Sequence, residues 1–496
     1  MVLYILSVDQ STSTTKAVLF STEGKLIQRC NVDHTQYYPQ PGWVEHDALE
    51  IYSNTLQAIH DVLVQTGISQ EQIKVISITN QRETVVVWDK NTGRPVYNAI
   101  VWQCQRAGAI CRTIEQNGFE SMVKSRTGLV LSPYFSAAKV KWILDNVEGA
   151  KEKAQNGDLL MGTMDCWLIW NLTGHKVHAT DFSNASRTQL FNLQELKWDK
   201  EILNIFSIPV SMLPGIMCSD EIFGYTAKEQ GFNREIPISG VMGDSHAALF
   251  GQSCFEKGMA KTTYGTGSSI MMNIGNVPLR SERGLVTSVA WGMNRSVDFV
   301  FEGNINCTGA TIKWLVDDLQ LITASSEAEK WAASVKSNEG VYIVPAFVGL
   351  SAPYWDSDAK ASITGISRGT KKAHIVRAAE ESIVFQIKDV LELMEEESET
   401  KLQELRVDGG PTRDSFLMQF QADMLDTTVS CSKIEELSAL GSCLMAGLAA
   451  GVWQNKEELI SLREQGRIFV SKMSETERSN LYRGWKEAVR RTLSGF

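Results

Sequence analysis

The chain lacks most features that would tie it to a membrane, a metal cluster or a nucleic acid. No C-x-x-C pair occurs among its nine cysteines, and their count is odd. That excludes a Cys-rich zinc site and a disulfide framework, and it suits a reducing compartment. No basic segment leads the first residues, and Asp9 interrupts their apolar run, so no signal peptide is expected. The most apolar stretch, Cys443 to Trp453, is too short and too rich in glycine to span a bilayer. A net charge of −10 leaves no basic excess for a nucleic acid, although an anionic substrate needs only a local cluster of cations. There is no G-x-x-x-x-G-K-[ST] loop, no H-R-D or D-F-G set and no G-x-G-x-x-G turn. A Walker-type NTPase, a protein kinase and a dinucleotide fold are therefore set aside. The expected setting is cytoplasmic, without nucleic acid or membrane span.

What is present fits a large α/β enzyme. A length of 496 residues exceeds one hydrophobic core, and no low-complexity linker marks a boundary. The division is expected near residue 250, giving units 1–250 and 251–496. Strand-forming Leu3 to Leu6 and Ala17 to Phe20 flank Asp9-Gln10-Ser11-Thr12-Ser13-Thr14-Thr15-Lys16. This turn holds one carboxylate, five hydroxyls and one lysine. Hydroxyls and backbone N–H groups can donate to phosphate, Lys16 adds a point charge, and Asp9 can hold Mg²⁺ directly or through water. Ser/Thr turns often serve only local hydrogen bonding. Here Asp9 ends an apolar strand, where an idle carboxylate is costly.

Helical periodicity covers 49–67 and 373–397, a charged terminal helix is expected over 475–493, and short strands fall at 75–79 and 84–88. The second half echoes the first: Met259 to Thr263 leads through Tyr264-Gly265-Thr266-Gly267-Ser268-Ser269 into Ile270-Met271-Met272. Two such units suggest a duplicated fold with a nucleotide between lobes. Asp408-Gly409-Gly410 reads as a strand end at which a flat ligand approaches the backbone. Glu395-Glu396-Glu397 reads as a solvated helix end.

Asp244 also follows an apolar strand through a glycine. It is a candidate base for a substrate hydroxyl attacking phosphorus, or a cap for the helix that follows. Arg82 and Glu83 offer a donor fork beside an acceptor, as a polyhydroxy compound requires, or a local ion pair. Trp102 and Tyr134 are candidate pocket walls or ordinary core. His246 reads as a satisfied core or surface residue, and Asp165 and Asp181 have no evident partner. The whole scheme needs Asp9 and Asp244 to meet across one crevice, and they are expected to come from different lobes.

Several long segments, in order, resemble the FGGY family of carbohydrate kinases, most closely its glycerol-phosphorylating members. They include Tyr38 to His46, Ile78 to Thr84, Tyr97 to Cys104, Val341 to Asp356 and Arg406 to Gly410. Tyr134 to Asn146 fits one family signature. Ala361 to Gln386 fits a second, except that Glu380 stands where an apolar residue is expected. The resemblance implies an α/β, actin-like (ribonuclease H-like) duplicated fold, two lobes around a nucleotide cleft. It implies transfer of the ATP γ-phosphate, with Mg²⁺, to a terminal hydroxyl of glycerol, giving glycerol 3-phosphate. By motif position Thr12, Ser13, Thr14 and Lys16 would contact phosphates, and Asp9 would organise the metal. Thr266, Gly309, Lys313, Gly410 and Asp414 would line the nucleotide site. Arg82, Glu83, Trp102, Tyr134, Asp244 and Ser245 would hold the polyol, with Asp244 as base. A homodimer or homotetramer is also implied.

The departures from that pattern concern both substrates. Ser245 and Ser269 stand where those members have Gln and Phe. Losing the aromatic wall removes apolar contact worth about 2 kcal/mol and enlarges the pocket, which points to a longer polyol such as a tetritol. Lys313 and Asp414 replace Gln and Asn, and either preserve ATP binding with altered geometry or pair with each other. Around Gly231 to Ile236 neither the glycine-rich fructose-bisphosphate loop of some relatives nor the phosphorylated histidine loop of others is evident. A catalytically weak nucleotide and sugar sensor on this fold is the alternative outside enzymes, and the presence of both Asp9 and Asp244 argues against it.

Overall fold

A computed structural model describes residues 2–495. Two sheets of matching plan carry the molecule. In the first, Tyr4–Gln10, Ile73–Asn80 and Pro237–Gly243 run parallel, and Thr14–Ser21 and Leu26–Asp33 continue the sheet antiparallel from Tyr4–Gln10. In the second, Met259–Tyr264, Glu404–Gly409 and Thr428–Ser432 are the parallel strands, and Ser268–Gly275 and Ser296–Ile305 the antiparallel extension. Each sheet closes its parallel side with an antiparallel edge strand, Gly224–Tyr225 or Gln465–Phe469; the second adds Val286–Met293 at its other edge. The short echo noted above thus extends to an entire strand order, and the duplicated α/β fold is realised. The near-continuous apolar runs of the central strands follow from burial on both faces.

Helices lie where periodicity placed them, as Ala48–Thr66, Lys372–Ser398 and Glu475–Thr492. The Asp47 side chain caps the first of these, and Gly67 ends it in the left-handed conformation. A smaller antiparallel sheet, including Val85–Asp89 and Leu159–Thr163, stands beside the first lobe and carries the loop to Trp102.

One element crosses between the halves. Helix Leu437–Ala449 lies on the first sheet, and its Ser442 hydroxyl sits 2.8 Å from the Ser7 hydroxyl and 3.1 Å from that of Ser77. It crosses helix Asp244–Gly251 at two glycines. A Cβ on Gly441 would stand 1.7 Å from the Ala247 carbonyl, so the helices touch backbone to backbone. Around this crossing Met242, Leu249 and Phe250 from one half pack with Met271, Trp291 and Leu444 from the other. The stretch Cys443 to Trp453 begins in this inter-lobe helix and runs past its end, and among the described residues no helix is long and apolar enough to cross a membrane.

The acidic run is not a free solvated end. Glu397 accepts from the N–H groups of Glu282 and Arg283 at 3.0 Å each, and Glu396 pairs with Arg283. Asp165 and Asp181 also have partners: Thr163 and Thr180 donate to the first, and the second caps helix Phe182–Ala185. All nine cysteines are buried and unpaired.

Candidate active site between the lobes

The parallel strands of the first sheet end in register, Gln10 beside Asn80 and Asn80 beside Gly243. Their carboxyl edge therefore gathers Asp9, the Arg82–Glu83 turn and Asp244. Asp9 and Asp244 come from neighbouring parts of one sheet edge, not from two lobes as expected. Parallel pairing of three strands separated by long connections is what brings them together. The charge of Asp244 contributes to the rise of the Asp9 carboxyl pKa.

Asp9 is 4% exposed, and burial pushes its carboxyl up to about 6 against the pull of Lys16, with Glu436 and Asp244 adding to the rise. Ser11 donates to it at 3.0 Å. Lys16 lies 3.6 Å from Asp9 and 2.8 Å from Glu436, which Arg29 also reaches. Glu436 precedes the inter-lobe helix, so a residue of the second half tethers the turn's only lysine. In the turn, Ser11 N–H donates to the Thr14 carbonyl at 2.9 Å, while the N–H groups of Thr12 and Ser13 have no protein acceptor among the described residues. Those two free donors are suited to an anion. Thr14 turns its hydroxyl away, to the Val32 carbonyl at 3.2 Å.

Arg82 and Glu83 do not form the local pair considered above. Arg82 makes two parallel hydrogen bonds of 2.9 Å to Glu302, and its Nε lies 3.3 Å from Asp244. Glu83 adopts a φ of 61° and accepts from Arg187 Nε at 2.6 Å. Arg187 Nη1 also stands 2.9 Å from Glu302, off the hydrogen-bond direction. Burial opposes ionisation of Glu302, yet Arg187 and Arg82 hold it well below the usual carboxylate range. Burial dominates at Glu83 and raises it. Sequence reasoning missed Arg187 and Glu302. The one available signal for Glu302 was a lone charge after apolar Phe299-Val300-Phe301; Arg187 carried none.

Asp244 is the first residue of its helix, with Gly243 at the cap position, so it is not the cap itself. Its backbone carbonyl accepts from the Ser438 hydroxyl at 2.9 Å, and its side chain remains partly open to the cleft. Trp102 and Tyr134 meet edge to face with centroids 5.5 Å apart. The Trp102 indole donates to the Thr12 hydroxyl at 3.0 Å, joining this aromatic pair to the turn after Asp9. The buried Lys139 ammonium donates to the carbonyls of Tyr134 and Phe135 and braces the Tyr134 turn. Ser245 is half-buried in the first helical turn. Ser269 Oγ is buried without a partner among the described residues. His246 is core, its Nε2 3.0 Å from the Ser288 hydroxyl.

The second sheet offers an open cavity of about 1190 Å³, lined by Gly265, Thr266, Gly309, Lys313, Gly410 and Asp414 among others. Nothing lies within 4 Å of where a Gly410 Cβ would be, which leaves room for a ligand against the backbone. Lys313 and Asp414 do not pair: Lys313 is 3.8 Å from Asp317, and Asp414 accepts from the Leu417 N–H at 2.8 Å.

Among the described residues no three His, Cys, Asp or Glu side chains form a metal cage. Mg²⁺ needs none, since it is held through one or two carboxylates, water and phosphate oxygens. Asp9, a buried carboxylate at the phosphate turn with incomplete compensation, fits that role.

Two lobes of one plan, a carboxylate-bearing turn on one and an open glycine-lined cavity on the other, suit an actin-like phosphotransferase. Residues 4–251 match the N-terminal domain and 260–450 the C-terminal domain of the FGGY family of carbohydrate kinases. The chain is 51% identical to glycerol kinase 2 of Thermotoga maritima over 490 residues, covering 99% of each. It is 52% identical to a glycerol kinase of Caldanaerobacter subterraneus over 493 residues, again 99% of each. The Plasmodium falciparum glycerol kinase structure with ADP superposes with a TM-score of 0.95 at 36% identity, over 99% of this chain and 98% of that one. The chain belongs to the FGGY family of carbohydrate kinases.

Proposed function

We propose that the chain transfers the γ-phosphate of ATP to a terminal hydroxyl of glycerol, giving glycerol 3-phosphate and ADP. The observation that supports this most is the shared carboxyl edge, where Asp9, the Arg82–Glu83 turn and Asp244 face one cleft beside the nucleotide cavity. Residues 1–250 would hold the polyol and the terminal phosphate, and 251–496 the rest of the nucleotide.

The polyol would lie between the Trp102–Tyr134 wall and the ion cluster. Arg82 donates to its hydroxyls and Glu83 accepts from them. Asp244 takes the proton of the terminal hydroxyl as that oxygen bonds to phosphorus, and the bond from phosphorus to the β,γ-bridging oxygen breaks with its electrons leaving on ADP. Thr12 and Ser13 N–H groups and Lys16 would hold the transferring phosphoryl, with Asp9 and phosphate oxygens holding Mg²⁺. The metal, when bound, neutralises charge on the β- and γ-oxygens. Thr266, Gly309, Lys313, Gly410 and Asp414 would line the nucleotide's path. Cytoplasmic location agrees with nine unpaired thiols, and a homodimer or homotetramer is expected from the family resemblance.

A tetritol is the second reading, favoured by the partnerless Ser269 hydroxyl and the small Ser245 side chain beside Asp244. A panel of glycerol, dihydroxyacetone, erythritol and pentitols, read by ADP release, separates the two. Glycerol should give the highest kcat/KM. A longer polyol in first place would transfer the assignment to it, and tight ATP binding with no ADP release on any polyol would favour a sensor.

A further inference from the structure

Among the described residues the N–H groups of Thr12 and Ser13 have no acceptor, yet the carbonyls of the same two peptides are tied down. The Ser11 carbonyl accepts from the Gln10 amide at 2.8 Å. The Thr12 carbonyl accepts twice, from His34 Nε2 at 2.9 Å and from the Gln36 amide at 2.9 Å. His34 also gives its backbone N–H to the Ser13 carbonyl at 3.2 Å. In a planar trans peptide the C=O and N–H point opposite ways. Two donors on the Thr12 carbonyl therefore fix the direction of the Ser13 N–H, which points away from His34 and Gln36. The turn is already closed by the bond from Ser11 N–H to the Thr14 carbonyl at 2.9 Å, so these donors are not needed to close it.

The two donors are themselves held. A carbonyl can only accept, so His34 Nε2 carries the ring proton, and its buried Nδ1 has no partner among the described residues. Gln36 is oriented by a chain of hydrogen bonds that run in one sense. The Trp102 N–H donates to the Thr84 hydroxyl at 3.1 Å, and that hydroxyl donates to Gln81 Oε1 at 3.0 Å. The Gln81 amide donates to His46 Nδ1 at 3.3 Å, and His46 Nε2–H to Gln36 Oε1 at 2.7 Å. With its oxygen engaged by His46, Gln36 has only its amino group to offer Thr12. Gln81 and His46 are buried, and burial keeps the His46 ring neutral, its pKa pushed down to about 3 with the charge of His34 adding to the fall. A neutral ring has one donor and one acceptor, as this chain requires.

Resting on the kinase reading, we propose that His34 and Gln36 are positioning residues: by pinning the Thr12 carbonyl they hold the Ser13 N–H on the terminal phosphate of the donor nucleotide. An N–H set in advance costs no reorganisation as charge shifts on the transferring phosphoryl. ADP lacks that phosphate, so the two residues act on the triphosphate and not on the diphosphate.

The test compares the affinities of the full chain for the Mg²⁺ complexes of ADP and of the β,γ-imido analogue of ATP, by calorimetry without polyol. His34→Leu combined with Gln36→Met removes both donors, and should lower the analogue/ADP affinity ratio at least about tenfold with ADP binding kept within about twofold. His34→Gln combined with Gln36→Met returns one N–H donor to Thr12 and should bring the ratio back to within about threefold of the unaltered chain. Gln36→Met alone, at a half-buried position, should lower the ratio about threefold, and it decides the matter if the double variant does not fold. A ratio left unchanged by removal of the donors overturns the proposal. An equal loss for ADP and the analogue also overturns it, because the bonds would then serve only the fold. So does failure of His34→Gln to restore the ratio, which would make ring volume the cause. The kinase reading is judged apart: no ADP release from the unaltered chain on any polyol removes it, while the affinity ratio still decides whether His34 and Gln36 aim the turn.

Discussion

The two hairpin turns that head the two sheets have the same place in the same strand order and opposite chemistry. Asp9 to Thr15 presents side chains: a buried carboxylate, hydroxyls, and a lysine held by Glu436 of the other half. Tyr264 to Ser268 presents backbone. A Cβ on Gly267 would stand 2.3 Å from the Ile305 carbonyl, and one on Gly309 would stand 2.6 Å from that of Gly265. One copy of the plan carries fixed charge beside a cage of buried ion pairs, and the other keeps an open cavity for a long ligand. A duplicated scaffold thus presents side-chain charge at one turn and backbone at the other, with Glu302 and Glu436 of the second half completing the charged side.

That contrast is best broken at the cage. Glu302→Gln removes the carboxylate that both Arg82 and Arg187 face, leaving buried guanidinium charge undercompensated. It should lower unfolding free energy by about 3–5 kcal/mol in denaturant titration. No loss of stability would mean that the cage is not structural. Asp244→Asn comes next, with turnover cut at least about 100-fold, equivalent to about 2.7 kcal/mol of barrier, and ATP affinity largely kept. Near-normal turnover would take Asp244 out of the base role.

The pH response sharpens the comparison further. The Asp9 carboxyl is raised to about 6, so the carboxylate proposed to hold the metal predominates only above that value. Activity on Mg·ATP should fall about tenfold for each unit of pH below it. A profile flat down to pH 5 would show that Asp9 is not the titrating group. The smallest effect belongs to Trp102→Phe, which keeps an aromatic wall but loses the donor to Thr12. A loss of about 1 kcal/mol, or roughly fivefold in kcat/KM for the polyol, is expected. Unchanged kinetics would mean that wall and phosphate turn work independently.

Much of this architecture was legible along the chain, and the reason is local. The strand–turn–strand units at Asp9 and Gly265, the amphipathic helix at 372–398 and the glycine pair at 409–410 rest on hydrophobic period and turn chemistry, which act over a few residues. Asp9 stood out because a carboxylate ending an apolar strand is costly. The cage was not legible: Arg82 meets Glu302 across 220 residues, and no pattern around Arg187 marks it. Nor could the chain tell that Asp9 and Asp244 share one sheet edge, since strand order decides that.

Taken alone, the amino-acid order determined which segments are strands, turns and helices, where hydroxyls and carboxylates gather, and which family the chain resembles. Tertiary structure alone decided which charges neutralise one another, that Lys16 answers to Glu436, and that Arg82 and Arg187 both face Glu302. Propensity is a property of neighbours in sequence, whereas the strength of a buried ion or hydrogen bond depends on which distant groups replace the water it has lost.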